Sequence, residues 1–475
     1  MSGLVRRALL LLALALPAAA DDAAATIGRV DQFLRDGERS KALDLLEGIV
    51  ARDPSPLEAH VLYQDLLRGS NREAEALARY ARRAKESPRD PDARYLHARL
   101  LRGDRAVAEY RAVTRLAPAF VSAWIGLARE LDRSGKAKAA AAAAETAVKL
   151  DPRSREAQGA LGWVREQAGD QAGAEAAYRA ALQASPDYLP ARFDLAHLLA
   201  RTDRGEAALE QLAEARRSAP HDPQVLVHEG LVLSALGREQ EAVERYAKAL
   251  EGAPSDPLLL VLLAESYAEL SEWDLAGKAV DKALRLDPQL ASAHAARGYA
   301  ALLQGRWRPA VDAYAEAARH APASATLQYY LGLSHERSGD LERAWKCYQA
   351  ACARDARNAS YRLALGSACE ATGRLKEALA AYKEATKLDP ASPDAWIRLG
   401  GVAADLRKPK DAVEALRKAR ELDPGNVGLL KTLGILHEID LKQPEQAIAY
   451  YRQYVEAGGT DTRVARWLEE LEAAK

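Results

Sequence analysis

Residues 375–403 read LKEALAAYKEATKLDPASPDAWIRLGGVA, and the spacing within them decides the fold. Ala378, Tyr382 and Ala385 fall on one face of a helical stretch. Trp396, Leu399, Gly400 and Ala403 follow at i, i+3, i+4 and i+7 on one face of the next. Between them stands Leu388-Asp389-Pro390. Proline lacks an N–H and disfavours helix in the residue before it, so it marks a helix end. The same tripeptide ends at Pro152, Pro288 and Pro424.

Outward from this stretch, proline keeps a fixed interval. Pro54, Pro88, Pro118, Pro152, Pro186, Pro220, Pro254, Pro288, Pro322, Pro390 and Pro424 form one series, with Ala356 standing where a proline would. Each step is 34 residues except Pro88 to Pro118, which is 30. Counting the third residue after each proline as position 1, apolar or small residues return at positions 4, 7, 8 and 11 of a first helix and 20, 24 and 27 of a second. Position 15 carries Gly135, Gly169, Gly237, Gly305, Gly339 and Gly373, where the turn between helices needs positive φ. The pattern predicts a repeated helix-turn-helix and an all-α fold.

These positions resemble the tetratricopeptide repeat (TPR) signature. One unit carries it as Leu161, Gly162, Gly169, Ala174, Tyr178, Ala181 and Pro186, another as Leu331, Gly332, Gly339, Ala344, Tyr348 and Ala351. The resemblance implies a right-handed superhelical solenoid of about thirteen TPR units over residues 23–461, beginning 23–56, 57–90 and 91–120. The unit 91–120 is four residues short, and its first helix is expected to be truncated behind Pro91. The unit 427–461 has one extra residue, assigned to the turn at Lys442-Gln443-Pro444. Residues 462–475, with Val464, Trp467, Leu468 and Leu471 in one stripe, read as a cap helix.

Composition agrees. Hydrophobic residues make up 48% and charged residues 28%, with 3 Phe and 1 Met, so Ala and Leu must build the core. Lys plus Arg (67) balances Asp plus Glu (68), which removes the footprint of a general nucleic-acid binder. At the N-terminus, Arg6 and Arg7 precede the apolar run Ala8–Leu16, then Pro17 and Ala18-Ala19-Ala20. This reads as a secretory signal peptide over residues 1–20, cleaved after Ala20, and too short to span a membrane. A periplasmic or secreted protein, not integral to a membrane, is expected.

Units, leader and cap account for the sequence, so a catalytic domain is not expected and neither is a cofactor. His228-Glu229, His335-Glu336 and His437-Glu438 lack the second histidine of a zinc-protease helix, and Ser134-Gly135-Lys136 lacks the upstream glycine of a phosphate loop. The nine His are scattered over repeat positions, among them 4 for His60 and His294 and 11 for His335 and His437. They read as packing residues rather than metal ligands. Cys347 and Cys352 point apart on one helix. Cys352 and Cys369 lie on neighbouring helices, as buried thiols or a disulfide.

In the family the resemblance indicates, positions 2, 5, 6, 9, 12 and 13 of the first helices line an inner groove. Here they supply the expected partner-binding residues Trp163, Phe193, His197, Leu231, Tyr299, Tyr329 and Leu333, as anchors with few contacts in the free chain. Val227, Val261 and Tyr330 fit packing and groove equally. Trp124, Trp273, Trp307 and Trp396 read as structural. Only Lys431 and Arg398 match the basic positions of chaperone-tail adaptors, which disfavours that role. The expected function is a non-catalytic scaffold in bacterial envelope assembly or secretion, holding a protein or peptide segment. The alternative is a guide for a secreted polysaccharide. N-terminal sequencing of the exported protein should begin at Asp21; a chain beginning at Met1 would contradict the leader.

Overall fold

The computed structural model describes residues 27–473 apart from 31, 35–37, 53–55, 71 and 221. The signal peptide expected at residues 1–20 lies outside the described residues, as do the last two residues of the cap segment. Every regular element among the described residues is helical. From Leu57 onward the helices come in pairs, such as Arg155–Gln167 with Gln171–Ala184 and Ala359–Ala371 with Leu375–Leu388. No helix among the described residues is long and apolar enough to cross a membrane. The chain divides into two compact units, one through His228 and one from Glu229, and within each consecutive helices pack on one another.

The punctuation read from sequence has a hydrogen-bond basis. Ser154, Ser324, Asn358 and Ser392, two residues after the proline or its alanine substitute, each accept from a backbone N–H in the first turn of the following helix, at 3.1–3.3 Å. The position-4 side chain then reaches back to the proline carbonyl six residues earlier. Trp124 Nε1 donates to Pro118 at 2.8 Å, Gln158 Nε2 to Pro152 at 3.0 Å and Trp396 Nε1 to Pro390 at 3.0 Å, with Arg94 and Arg192 doing the same for Pro88 and Pro186. Position 4 is therefore a donor position as much as an apolar one. A carbonyl that the proline-broken helix leaves orphaned is thereby satisfied.

At the turn inside each unit, the residue after the position-15 glycine donates its N–H five residues back, as Asp170 to Arg165 (2.9 Å) and Asp340 to His335 (2.9 Å). This 6→1 bond closes a Schellman motif. The glycines sit at φ between 70° and 87°, and where glycine is absent Asp203, Ser271 and Arg407 are forced to 55–61°.

The two helices of a unit meet where a glycine at position 8 faces a tyrosine at position 24. A Cβ on Gly162 would stand 2.5 Å from the Tyr178 ring, one on Gly366 2.4 Å from Tyr382, and one on Gly332 2.8 Å from Tyr348. Gly230 with Tyr246, Gly298 with Tyr314 and Gly434 with Tyr451 repeat the contact at 2.3–2.7 Å. Where position 8 is alanine, position 24 shrinks: Ala128 faces Ala144, Ala196 faces Leu212 and Ala264 faces Val280. These pairs trade volume between their two members, although not every unit does: Gly400 meets Leu416, with a Cβ 2.7 Å from it, and the unit 57–90 carries Gln64 and Tyr80 at the two positions.

The first helix of the unit 91–120 is truncated as expected, to the 8 residues Pro91–Ala98; it starts at Pro91, which is tolerated as its first residue, and the missing turn lies at its far end, before Gly103. In the unit 427–461 the extra residue is absorbed inside the first helix rather than in the turn, as a π-helical stretch Leu436–Asp440. One wider turn keeps Gly434 against Tyr451 and still delivers Glu438 to the Tyr451 hydroxyl, at 2.6 Å. The final helix, Thr462–Ala473, buries Val464 on Leu430, Ala447, Tyr451 and Tyr454, with Trp467, Leu468 and Leu471 packed around it.

Arg407 is exposed and holds a left-handed backbone that glycine adopts freely, so Arg407→Gly should raise stability by up to about 1 kcal/mol. Gly373→Ala, at φ 74°, should lower it by about 1 kcal/mol. Denaturant midpoints moving together would show that backbone strain at the turn does not govern either site.

Candidate functional site

First helices of adjacent repeats lie side by side, Val121–Arg133 against Arg155–Gln167 and Pro257–Glu269 against Ala291–Leu303, and positions 2, 5, 6, 9, 12 and 13 on them are those the resemblance assigns to a groove. The two compact units present different chemistry there.

In the unit through His228, Trp163 stays 42% exposed, and its Nε1 donates to Asp132 Oδ2 at 3.3 Å. Phe193 is buried, stacked on the His228 ring at 3.8 Å, and His197 Nε2 meets His228 Nδ1 at 2.8 Å. These rings are locked together rather than free. Burial holds both imidazoles below the usual histidine range, His228 at about 4 with His197 beside it as the next cause. Beside them, burial and then the Glu166 charge push Asp194 up to about 6, against Arg129.

In the unit from Glu229, Tyr299 donates its hydroxyl to Glu269 on the preceding repeat. Tyr329 is half-buried among three rings, Tyr330, Tyr348 and Tyr361, with centroids 5.2–5.7 Å away. Leu231 and Leu333 are half-buried. The expectation of few contacts in the free chain therefore fails for Phe193 and Tyr329, whose neighbours are supplied by adjacent helices. Of the residues that fit packing or groove equally, Val261 is buried in the core and Tyr330 stacks on Tyr314 at 5.5 Å. Cys352 and Cys369 are buried free thiols.

Other groove residues are passed over when these positions are read for aromatic bands alone. Leu258 at position 2 is 55% exposed, and Leu303 and Ile439 at position 13 are also open to solvent. Glu265 stands at position 9, where its charge is felt by Tyr246, Tyr299 and Tyr314, with no hydrogen-bond or ionic partner among the described residues. Position 12 recurs as a glutamate that accepts from the packing tyrosine of its own unit: Tyr178 to Glu166 (2.7 Å), Tyr348 to Glu336 (2.5 Å) and Tyr382 to Glu370 (2.8 Å). The sequence signal is the fixed twelve-residue interval from Glu to Tyr.

A family model described as tetratricopeptide repeat matches residues 125–188, 227–291, 295–359, 329–393, 363–427 and 397–462, and a second of the same description matches 166–226. Together they cover well over half of the chain, and neither describes an enzyme. No curated protein matches the chain. Among solved structures, the chain is similar to YrrB, described as a TPR protein with an unusual peptide-binding site, at 26% identity, over 40% of this chain and 98% of that one, with a TM-score of 0.36. It is similar to the Cut9–Hcn1 hetero-tetramer of the APC/C at 14% identity, over 93% and 95%, with a TM-score of 0.40. MamA matches at 20% identity over 37% and 96%, with a TM-score of 0.35.

Burial pushes the Glu265 carboxyl from 4.5 up to about 7. A carboxyl raised in the folded state gives its full stabilisation below its unfolded value, and that contribution is lost as pH rises through about 7. Glu265→Gln should therefore match the wild-type midpoint near pH 4.5 and exceed it at pH 8, by roughly 1–3 kcal/mol. An offset independent of pH would show that the carboxyl is solvated.

Proposed function

Because the chain belongs to the tetratricopeptide repeat family, we propose that it is a non-catalytic scaffold that holds a segment of a partner protein along the face of its first helices. The observation that carries this is that each compact unit leaves large apolar side chains open at positions the resemblance assigns to the groove, Trp163 in the unit through His228 and Leu258, Leu303 and Ile439 in the unit from Glu229. Each added repeat extends such a face at little folding cost. The unpartnered Glu265 adds a point of charge selection, favouring a segment that presents a basic side chain there. Export, and with it a role in bacterial envelope assembly or secretion, rests on the pattern from Arg6 to Ala20.

Trp163→Ala and Leu258→Ala should weaken partner binding by about 2 kcal/mol or more at a smaller cost in melting than a core substitution, since the two residues are 42% and 55% exposed. Phe193→Ala should behave oppositely, costing about 3–5 kcal/mol of stability because its ring is buried on His228. A photoreactive residue at Tyr299 should crosslink a polypeptide in cells. Capture of a polysaccharide there, or binding unmoved by either groove substitution, would replace this reading.

A further inference from the structure

The histidines read from sequence as scattered packing residues, yet the unit 291–324 brings two of them together. His294, near the start of Ala291–Leu303, stacks on His320, the last residue of Trp307–His320, with ring centroids 5.4 Å apart and planes within 17°. Glu316, one turn before His320, places Oε1 3.2 Å from His320 Nε2. One nitrogen of each imidazole and one Glu316 oxygen all lie within 4.8 Å of one another. We infer that His294, Glu316 and His320 form a binding site for a divalent transition-metal ion, with Zn2+ as the best fit.

Two imidazoles and a carboxylate are the donor set zinc takes at about 2.0–2.2 Å. Two imidazoles on one tetrahedral ion hold their ring centres about 5 Å apart, close to the spacing here, and since the ion must lie in both ring planes the His320 ring has to turn out of its stack on His294 to receive it. His294 is also oriented from outside: its Nε2–H donates to the Pro288 carbonyl at 3.1 Å, which fixes the tautomer and leaves the lone pair on Nδ1. A backbone carbonyl on the far nitrogen is the usual outer contact of a metal-bound histidine. Arg319 pairs with the second Glu316 oxygen and so sets the carboxylate's orientation.

The repeats provide an internal control. The positions of His294 and His320 hold Trp124 and Leu150 in one unit and Trp396 and Leu422 in another, none of them a ligand. The His294 bond to proline is thus a general feature of position 4, whereas its pairing with a second imidazole and a carboxylate belongs to this unit. Three protein donors leave a tetrahedral ion one position for water or for a side chain of a bound partner. The His320 ring and the Glu316 carboxylate are partly open to solvent, so water can reach that position.

The purified full chain titrated with ZnCl2 should take up one ion in the micromolar range. His294→Gln and His320→Leu install residues that other units carry at these positions, Gln158 and Leu150, so the fold should hold. Each should weaken uptake roughly tenfold or more. With CoCl2 the visible spectrum should show nitrogen and oxygen ligation without a thiolate charge-transfer band. If either variant melts early, Glu316→Gln should give the same loss of uptake. No uptake, uptake retained by these variants, or a thiolate band from the three cysteines would overturn the site.

Discussion

The contact on which the rest of the molecule depends is the approach of a bare position-8 backbone to the flat face of a position-24 tyrosine. With no Cβ in the way, the two helices of a unit close onto the ring, and Tyr178, Tyr348 and Tyr382 are buried with only their hydroxyls engaged, each by the glutamate twelve residues earlier. A buried phenol without a partner would be costly, so the glutamate is part of the same contact. Units that carry alanine in place of glycine carry a smaller residue in place of tyrosine. In those units the interval between helices follows the joint volume of a pair rather than the identity of either residue, while Gly400 with Leu416 shows that a smaller pair is also accommodated.

That contact also shapes the candidate binding face. Position 12 belongs to the set the resemblance assigns to the groove, and its glutamates are drawn back to their own tyrosines, whereas Glu265 and Asp194 at positions 9 and 6 are left without hydrogen-bond or ionic partners among the described residues. Apolar residues at positions 2 and 13 lie at the ends of the first helices, beyond the packing stripe, and remain open. A binding surface emerges from what the repeat does not need for its own closure.

Much of this was legible in the sequence because proline, glycine and tyrosine act locally. Pro390 or Gly373 constrains its own backbone, and the consequence can be read without knowing any neighbour. The donor role of position 4 was hidden because Trp, Gln, Arg and His share no hydropathy, only an N–H. Phe193 and Tyr329 were misread as open because their burial comes from His228 and Tyr361 in adjacent repeats, contacts that a single-helix pattern does not contain. The extra residue near Lys442 was placed in the turn since a π-helical stretch leaves no composition signal. His294 and His320 stand twenty-six residues apart, on separate helices, and only the pairing of the two helices brings them together.

The most direct measurement is a double-mutant cycle at Gly366 and Tyr382, where a Cβ would stand 2.4 Å from the ring. Gly366→Ala alone should destabilise by about 1–3 kcal/mol through overpacking, and Tyr382→Leu alone by a comparable or larger amount through the space it leaves. Combined, they recreate the alanine–leucine pair of Ala196 and Leu212, and the loss should fall short of the sum by about 1 kcal/mol or more. Losses that add to within about 0.5 kcal/mol would show that the two residues do not share one space, and the account of how each helix pair closes would fail.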